Sequence, residues 1–366
     1  MVHGGRAGVK PGGQVSRDTN IDEETWVSCH FYYHEDLNLL ALNLLAPLVA
    51  SQLRERLIDR FFFIRYGLGG PHLRLRLRVL PGCRERVVET ARQAAAELMA
   101  RVPSLKSLPE ETIRRTNEWL LASDAHETDD AVYPDNSFFV TSFRPETQRY
   151  GGPELLDESL DFFAISSWAA LDFLARHGKR PRAAQLAAMF RMLLQQAMGL
   201  AENEEELLNL LGYAIAAWGE RFPGALNKAG DVFLAQGDVF RSLVRSEVES
   251  ALASPGDGAE EDMPGPLLLG HASRRLAQAI GRPEGEGRSS VCVSQLHMTA
   301  NRLGLSNAEE VYLGCLLRTV LEEIVRRDGE ERERLRSLLQ GSLAARMAGG
   351  APRDLLSTIH SRLMAA

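Results

Sequence analysis

The sequence predicts an α+β fold: a ferredoxin-like β-α-β-β-α-β N-terminal half packed against a mainly helical C-terminal half. Three observations point there. Pro71 to Leu80 reads PHLRLRLRVL, a strict alternation of leucine and arginine, and a period of two belongs to an extended strand. Strand-like and helix-like segments interleave as far as Gly152. After Gly152 the strand signals fade, and leucine and alanine recur at helical spacing.

Residues 1–24 open with the Gly-rich, polar MVHGGRAGVKPGGQ. They lack the apolar core of a signal peptide and are expected to form a disordered tail. TWVSCHFYY is aromatic and β-branched and predicts the first strand. Glu35 to Ile58 carries Leu37, Leu40, Leu44 and Leu48 at helical spacing, with Pro47 as a kink or boundary. FFFIRY is a second strand, and GLGG a turn. PHLRLRLRVL returns as the third strand, so the last two strands form a hairpin. Arg84 to Arg101 reads as a helix, and EWLLAS and SFFVTSFRPE as further strands. This order is a split βαβ sandwich spanning residues 25–152, with helices on one sheet face and the other face open.

Residues 153–366 form the helical part. Helices are expected over Pro153–Arg176, Arg182–Leu200, Glu204–Arg221, Leu226–Leu252, Leu267–Ile280, the stretch VSQLHMTANRLGLS, Ala308–Arg327, Glu330–Met347 and Pro352–Leu363. The Pro/Gly/acidic stretch 253–266 is expected to be a flexible loop, and 281–288 a shorter polar one. No repeat of 20 to 50 residues is visible, which argues against a solenoid.

In the third strand Leu73, Leu75, Leu77 and Val79 share one face, and His72, Arg74, Arg76 and Arg78 the other. Three guanidiniums within about 14 Å repel one another and favour anionic company. Either the row is a solvated sheet face with positive gatekeepers, or it binds a carboxylate or phosphate, which guanidinium forks match bidentately. The chain as a whole is acidic, with a net charge of -7. The row is therefore local, and the composition is not that of a general nucleic-acid binder. Cys29, Cys83, Cys292 and Cys315 are scattered without metal-ligand spacing and read as reduced thiols of a cytoplasmic protein, with no metal site. No run of 18 apolar residues suggests a membrane span.

Two further stretches carry candidate chemistry. In RPETQRYGG, Glu146 and Arg149 are three apart and can meet on one helical turn, either as a local ion pair or as part of a site. The following Gly151-Gly152 permits a tight loop. In HMTANRLG, His297 and Asn301 lie on one helix face, and a lone helical histidine is as readily a packed residue as a proton carrier.

Taken together, FFFIRYG, GPHLRLRLR, PETQRYGG and SQLHMTANRLG, in this order, resemble the C-terminal elimination domain of class I lanthipeptide dehydratases. The same domain occurs alone in thiopeptide-type clusters. The resemblance spans about residues 25 to 330. It implies an enzyme that expels glutamate from glutamylated Ser or Thr of a ribosomal precursor peptide, leaving dehydroalanine or dehydrobutyrine. It implies a separate glutamylation protein as partner, no cofactor, no direct contact with nucleic acid and no membrane; a homodimer is compatible with it. The positions matching the family's motif are Arg74, Arg76, Glu146, Arg149 and His297, as the catalytic set. Around them His72, Arg78, Tyr150, Asn301 and Arg302 are expected to bind substrate.

The chemistry fits those residue types. β-Elimination needs a base for the α-proton, stabilisation of the enolate, and a cation for the departing glutamate. Arginines serve the last two because they stay protonated. His297 suits proton transfer, while Glu146 either orients an arginine or is itself the base. Two alternatives remain open. Relatives with the same fold perform a formal 4+2 cycloaddition of two dehydroalanines to give a pyridine or dehydropiperidine. A non-catalytic chain would present peptide to a glutamylating partner.

Overall fold

The protein is described from a computed structural model covering residues 25–106, 108–123, 130–253, 265–281, 287–327 and 329–347. The expected N-terminal tail, most of the loop at 253–266 and the helix expected over Pro352–Leu363 lie outside the described residues. The fold is α+β, mainly helical with one four-stranded antiparallel sheet. Its strands are β1 (Trp26–Tyr32), β2 (Ile58–Tyr66), β3 (His72–Val79) and β4 (Ser137–Thr141). They run in the order β2-β3-β1-β4, with β3 antiparallel to both β1 and β2. The predicted hairpin forms through the GLGG turn, where Gly69 and Gly70 take φ of +80° and +122°. A Cβ at Gly69 would sit 2.6 Å from the Tyr133 ring, so this turn requires glycine.

The alternation of β3 sorts its side chains as predicted. Leu73, Leu75 and Leu77 are fully buried in the core. Their face is covered by helices packed from the first half of the chain. These are α1 (Leu37–Leu40), a π-helical turn (Ala41–Leu45), α2 (Ala46–Arg54) and α3 (Arg84–Arg101). The expected kink at Pro47 takes the form of that π-turn. Pro47 stands just after it, inside a helical run continuous from Leu37 to Arg54, and the widened turn accommodates the proline ring and its missing N–H. Leu37–Arg54 is apolar and long enough to cross a membrane by composition alone, but 44% of it is buried inside the fold.

EWLLAS is helical, not a strand. It closes α4 (Glu110–Ser123), an amphipathic helix braced by Glu110–Arg114 and Glu111–Arg115 ion pairs one turn apart. Its buried Asn117 accepts from the Gly69 N–H at 2.8 Å and so holds the GLGG turn. A run of four apolar residues does not separate strand from helix by period. SFFVTSFRPE is extended only over Ser137–Thr141.

The helical part follows the predicted spacing: α5 (Leu156–His177), α6 (Arg182–Leu200), α7 (Glu204–Ala216), α8 (Pro223–Ala253), α9 (Gly265–Ile280), α10 (Gly287–Leu303), α11 (Asn307–Arg327) and α12 (Glu330–Met347). Glu204–Arg221 splits, with a short 3-10 turn over Gly219–Arg221. The arginine face of the sheet is not open. α5 and α10 pack along β2 and roof it, leaving Arg74 and Arg76 only 8% and 7% exposed. A solvated gatekeeper face is thereby excluded.

Edge strand β2 explains how the two halves join. Its outward backbone groups are met by side chains instead of another strand. Ser167 of α5 accepts from the Phe63 N–H at 3.1 Å, and Arg302 of α10 donates to the Phe63 oxygen at 2.8 Å. Asn301 accepts from the Arg65 N–H at 2.8 Å and donates to the Arg65 oxygen at 2.9 Å. A buried edge needs such partners, because an unmet backbone group costs about 1–3 kcal/mol.

Candidate functional site

A cavity of about 540 Å³ lies between the arginine face of the sheet and the helices above it. The strand register builds its floor. Arg76 pairs across with Ser28 and Phe62, Arg74 with His30 and Ile64, and His72 with Tyr32 and Tyr66. Residues directly opposite on neighbouring strands point to the same face, so one register sets the whole floor. β4 adds Thr141, and the chain beyond it supplies the wall Ser142, Phe143, Arg144, Pro145 and Glu146.

Neutral groups hold the two central guanidiniums. Arg74 donates from Nε to His72 Nε2 at 3.0 Å and lies over the Tyr66 ring, 3.9 Å from its centroid. Arg76 approaches His30 Nε2 at 3.2 Å and faces the Phe143 ring. His72 Nδ1 meets the Gly70 oxygen at 2.8 Å. Because that oxygen can only accept, Nδ1 carries the hydrogen and Nε2 is left to receive Arg74. Burial, followed by the Arg74 charge, pushes His72 down to about 3. Burial, then Arg76 and Arg74, holds His30 well below its ordinary value. Both rings thus stay neutral acceptors beside two cations.

The RYGG stretch forms a tight turn. Gly151 and Gly152 take φ of +94° and +84°, and the Gly152 N–H returns to the Thr147 oxygen at 2.9 Å. The turn delivers Arg149 and Tyr150 to the cavity. Arg149 pairs with Glu146 at 2.8 Å and reaches Ser294 of α10 at 3.3 Å. Tyr150 is buried edge-on against Phe163. His297 lines the cavity from α10, and its Nδ1 meets Glu310 at 2.9 Å.

Arg74, Arg76, Glu146, Arg149, Tyr150, His297 and Asn301, from three separated parts of the chain, therefore share one cavity. Three expected substrate contacts are placed otherwise. Arg302 is fully buried, donates to Phe63 O and to Ser166 Oγ, and lies over the Phe163 ring. His72 lies beneath Arg74 without lining the cavity. Arg78 forks onto Asp59 at 2.6 and 2.8 Å at the far end of the strand, where a bulge in β2 displaces Asp59 from the ladder. Asn301 lines the cavity, but its amide is engaged with the Arg65 backbone.

Sequence reasoning missed His30, Tyr32, Tyr66, Tyr133, Thr141 and Arg65, all of which line the cavity. A signal for the first two was present: in WVSCHFY, Ser28, His30 and Tyr32 alternate with Val27, Cys29 and Phe31, as in β3. Among the described residues five arginines and one carboxylate line the cavity; the Arg65 guanidinium is turned to Asn38 and the Arg302 oxygen, and the other four make it a place for an anion. No cluster of three metal-ligating side chains occurs among the described residues. Cys29 and Cys292 are buried thiols pushed up to about 12 by that burial, which leaves them poor nucleophiles.

Comparison with known proteins follows the same lines. The family model described as lantibiotic biosynthesis dehydratase C-term matches residues 26–321. The fold is similar to that of a pyridine synthase, TbtD, from thiomuracin biosynthesis, with a TM-score of 0.69 at 17% identity over 83% of this chain and 100% of that one. It is similar to that of TsrL, with a TM-score of 0.55 at 17% identity over 86% and 98% of the two chains. The tRNA-dependent lantibiotic dehydratase MibB from Microbispora sp. 107891 matches at a TM-score of 0.49 and 21% identity, over 88% of this chain and 30% of that longer chain. No curated protein matches by sequence.

Proposed function

The chain belongs to the lantibiotic biosynthesis dehydratase C-terminal family, and from that premise we propose that it eliminates glutamate from glutamylated Ser or Thr of a precursor peptide, as a cytoplasmic lyase. The observation that carries this reading is the charge of the cavity: Arg74, Arg76, Arg144 and Arg149 line it against one glutamate, and that glutamate is paired with Arg149. Elimination releases a leaving group that already bears one carboxylate and gains a second as its ester bond breaks. Cycloaddition of two dehydroalanines generates no carboxylate, so its bond changes do not themselves call for such a lining. Presentation of a peptide without chemistry has no use for a histidine held by a carboxylate at the cavity wall.

In this reading a base takes the Cα proton of the modified residue. The electron pair forms the Cα–Cβ double bond, the Cβ–O bond breaks, and its electrons leave on the glutamate carboxylate. His297 is the proton carrier. Arg149, oriented by Glu146, and Arg74 and Arg76, oriented by neutral histidines, hold the leaving carboxylates and the charge developing on the peptide carbonyl. The glutamyl group would arrive from a separate glutamylating protein. The strand order β2-β3-β1-β4 supports a ferredoxin-like reading of residues 25–152, with α4 as an addition and residues 153–366 as the helical unit. The test is direct: a peptide carrying O-glutamylserine, incubated with the purified chain, should release free glutamate and acquire dehydroalanine. Arg149→Ala protein should leave it glutamylated.

A further inference from the structure

His297 and Glu310 come from two consecutive helices, and one tight turn brings them together. α10 ends in a Schellman motif: the Gly304 N–H donates to Asn301 O at 3.0 Å, and the Leu305 N–H to Ala300 O at 3.1 Å. Gly304 has φ of +79°, and a Cβ there would lie 3.1 Å from Arg65 Cζ, so the turn is fitted to glycine. The chain then reverses into α11, where Ser306 Oγ accepts from the Glu309 N–H and the Ser306 oxygen from the Glu310 N–H. The first turn of α11 thereby sets Glu310 against His297, at 2.9 Å from Nδ1. The two side chains are only 11% and 21% exposed, and the Trp218 ring lies 5.6 Å from the imidazole. His297 lines the cavity and Glu310 does not.

A carboxylate accepts hydrogen bonds and cannot donate them. Its contact therefore places the imidazole hydrogen on Nδ1 and leaves the lone pair on Nε2. A neutral histidine without such a partner distributes between two tautomers and rotates about its side-chain bonds. We propose that Glu310 is a positioning residue for the elimination: it fixes His297 as the Nδ1–H tautomer so that Nε2 receives the Cα proton, and it stabilises the imidazolium formed. This rests on the elimination reading given above. Nothing in the sequence marked Glu310, since it stands 13 residues beyond His297 on a separate helix.

The experiment uses full-length wild type, Glu310→Ala, Glu310→Gln, His297→Ala and the His297→Ala/Glu310→Ala double variant. Nitrogen-15 NMR of histidine-labelled protein, with His297 assigned by its loss in His297→Ala, should show the Nδ1–H form in wild type and a shift toward the other tautomer in Glu310→Ala. Glutamate release should lose at least ~10-fold in kcat in Glu310→Ala, short of the ~10²–10⁴-fold expected for His297→Ala, with KM nearly unchanged. Glu310→Gln, which keeps an acceptor oxygen of similar reach, should recover part of the rate. The double variant should be no slower than His297→Ala alone, because the two residues act as one unit. An unaltered tautomer in folded Glu310→Ala overturns the proposal, and so does a double variant slower than His297→Ala. Absence of glutamate release by wild type defeats the elimination reading itself; the tautomer measurement judges the hold of Glu310 on His297 separately.

Discussion

Arg302 donates from Nε to the backbone oxygen of Phe63 at 2.8 Å, and its guanidinium lies 4.4 Å from the centre of the Phe163 ring. An arginine with no exposed surface thus fastens α10 to the free edge of β2. Burial pushes it down to about 9, still well above neutral pH, so it remains charged there. Arg302→Ala should therefore act on stability. It orphans the Phe63 oxygen and leaves a void beside Phe163, for a loss of about 2–4 kcal/mol. Urea unfolding should show a lower midpoint for Arg302→Ala, and an unchanged midpoint would refute the clamp.

Arg149 has the opposite character. Its side chain is 38% exposed, and its contacts include Glu146, Ser294 and the Tyr150 ring at the cavity wall. Arg149→Ala should melt within a few degrees of wild type while glutamyl adducts accumulate on the peptide. Full dehydration by soluble Arg149→Ala protein would remove this residue from the site.

Arg78, although part of the same row of arginines, should be dispensable. Its Asp59 partner is 39% exposed, and such a pair contributes about 1 kcal/mol or less. Arg78→Ala should release glutamate at the wild-type rate. A loss of activity comparable to that of Arg149→Ala would show that the anion site extends to this end of β3.

Much of this was legible in the sequence, and what was not has physical causes. HLRLRLR announces a strand because period 2 survives in any tertiary context. The same alternation in WVSCHFY was hidden by its aromatic residues, so His30 and Tyr32 were passed over. EWLLAS was misread because its helix is held by charged pairs that lie outside these six residues. Asn301 and Arg302 looked like ligand-binding groups because a sequence does not reveal which strand forms the sheet edge. Once β2 is placed at the edge, both have backbone groups to satisfy. Arg74 and Arg76 were expected on an open face. Covering that face with α5 and α10 converts a charged surface into a lined cavity.

The two buried histidines give a pH dependence opposite to that of a histidine gaining an acidic partner. In the unfolded chain each protonates near 6.5. In the folded protein His72 stays neutral down to about 3, and His30 is likewise held well below its ordinary value. Between those limits the unfolded state binds more protons. Stability is therefore fully present above about pH 6.5 and is lost progressively as pH falls toward 3, by up to about 1.4 kcal/mol per pH unit for each histidine. Urea midpoints measured from pH 7 to pH 5 should decline, and His72→Gln, which keeps an acceptor for Arg74, should flatten the decline. A midpoint independent of pH over this range would contradict neutral histidines under the arginines.

The central claim is that the arginine-lined cavity expels a carboxylate leaving group. Its most direct measurement gives purified protein two peptides of the same sequence in one vessel, one carrying O-glutamylserine and one carrying two dehydroalanines, and follows both by mass spectrometry. The account predicts free glutamate and new dehydroalanine from the first, abolished by Arg149→Ala and slowed ~10²–10⁴-fold by His297→Ala, with the second peptide unchanged. An intact glutamylated peptide beside a cyclised second peptide would contradict it.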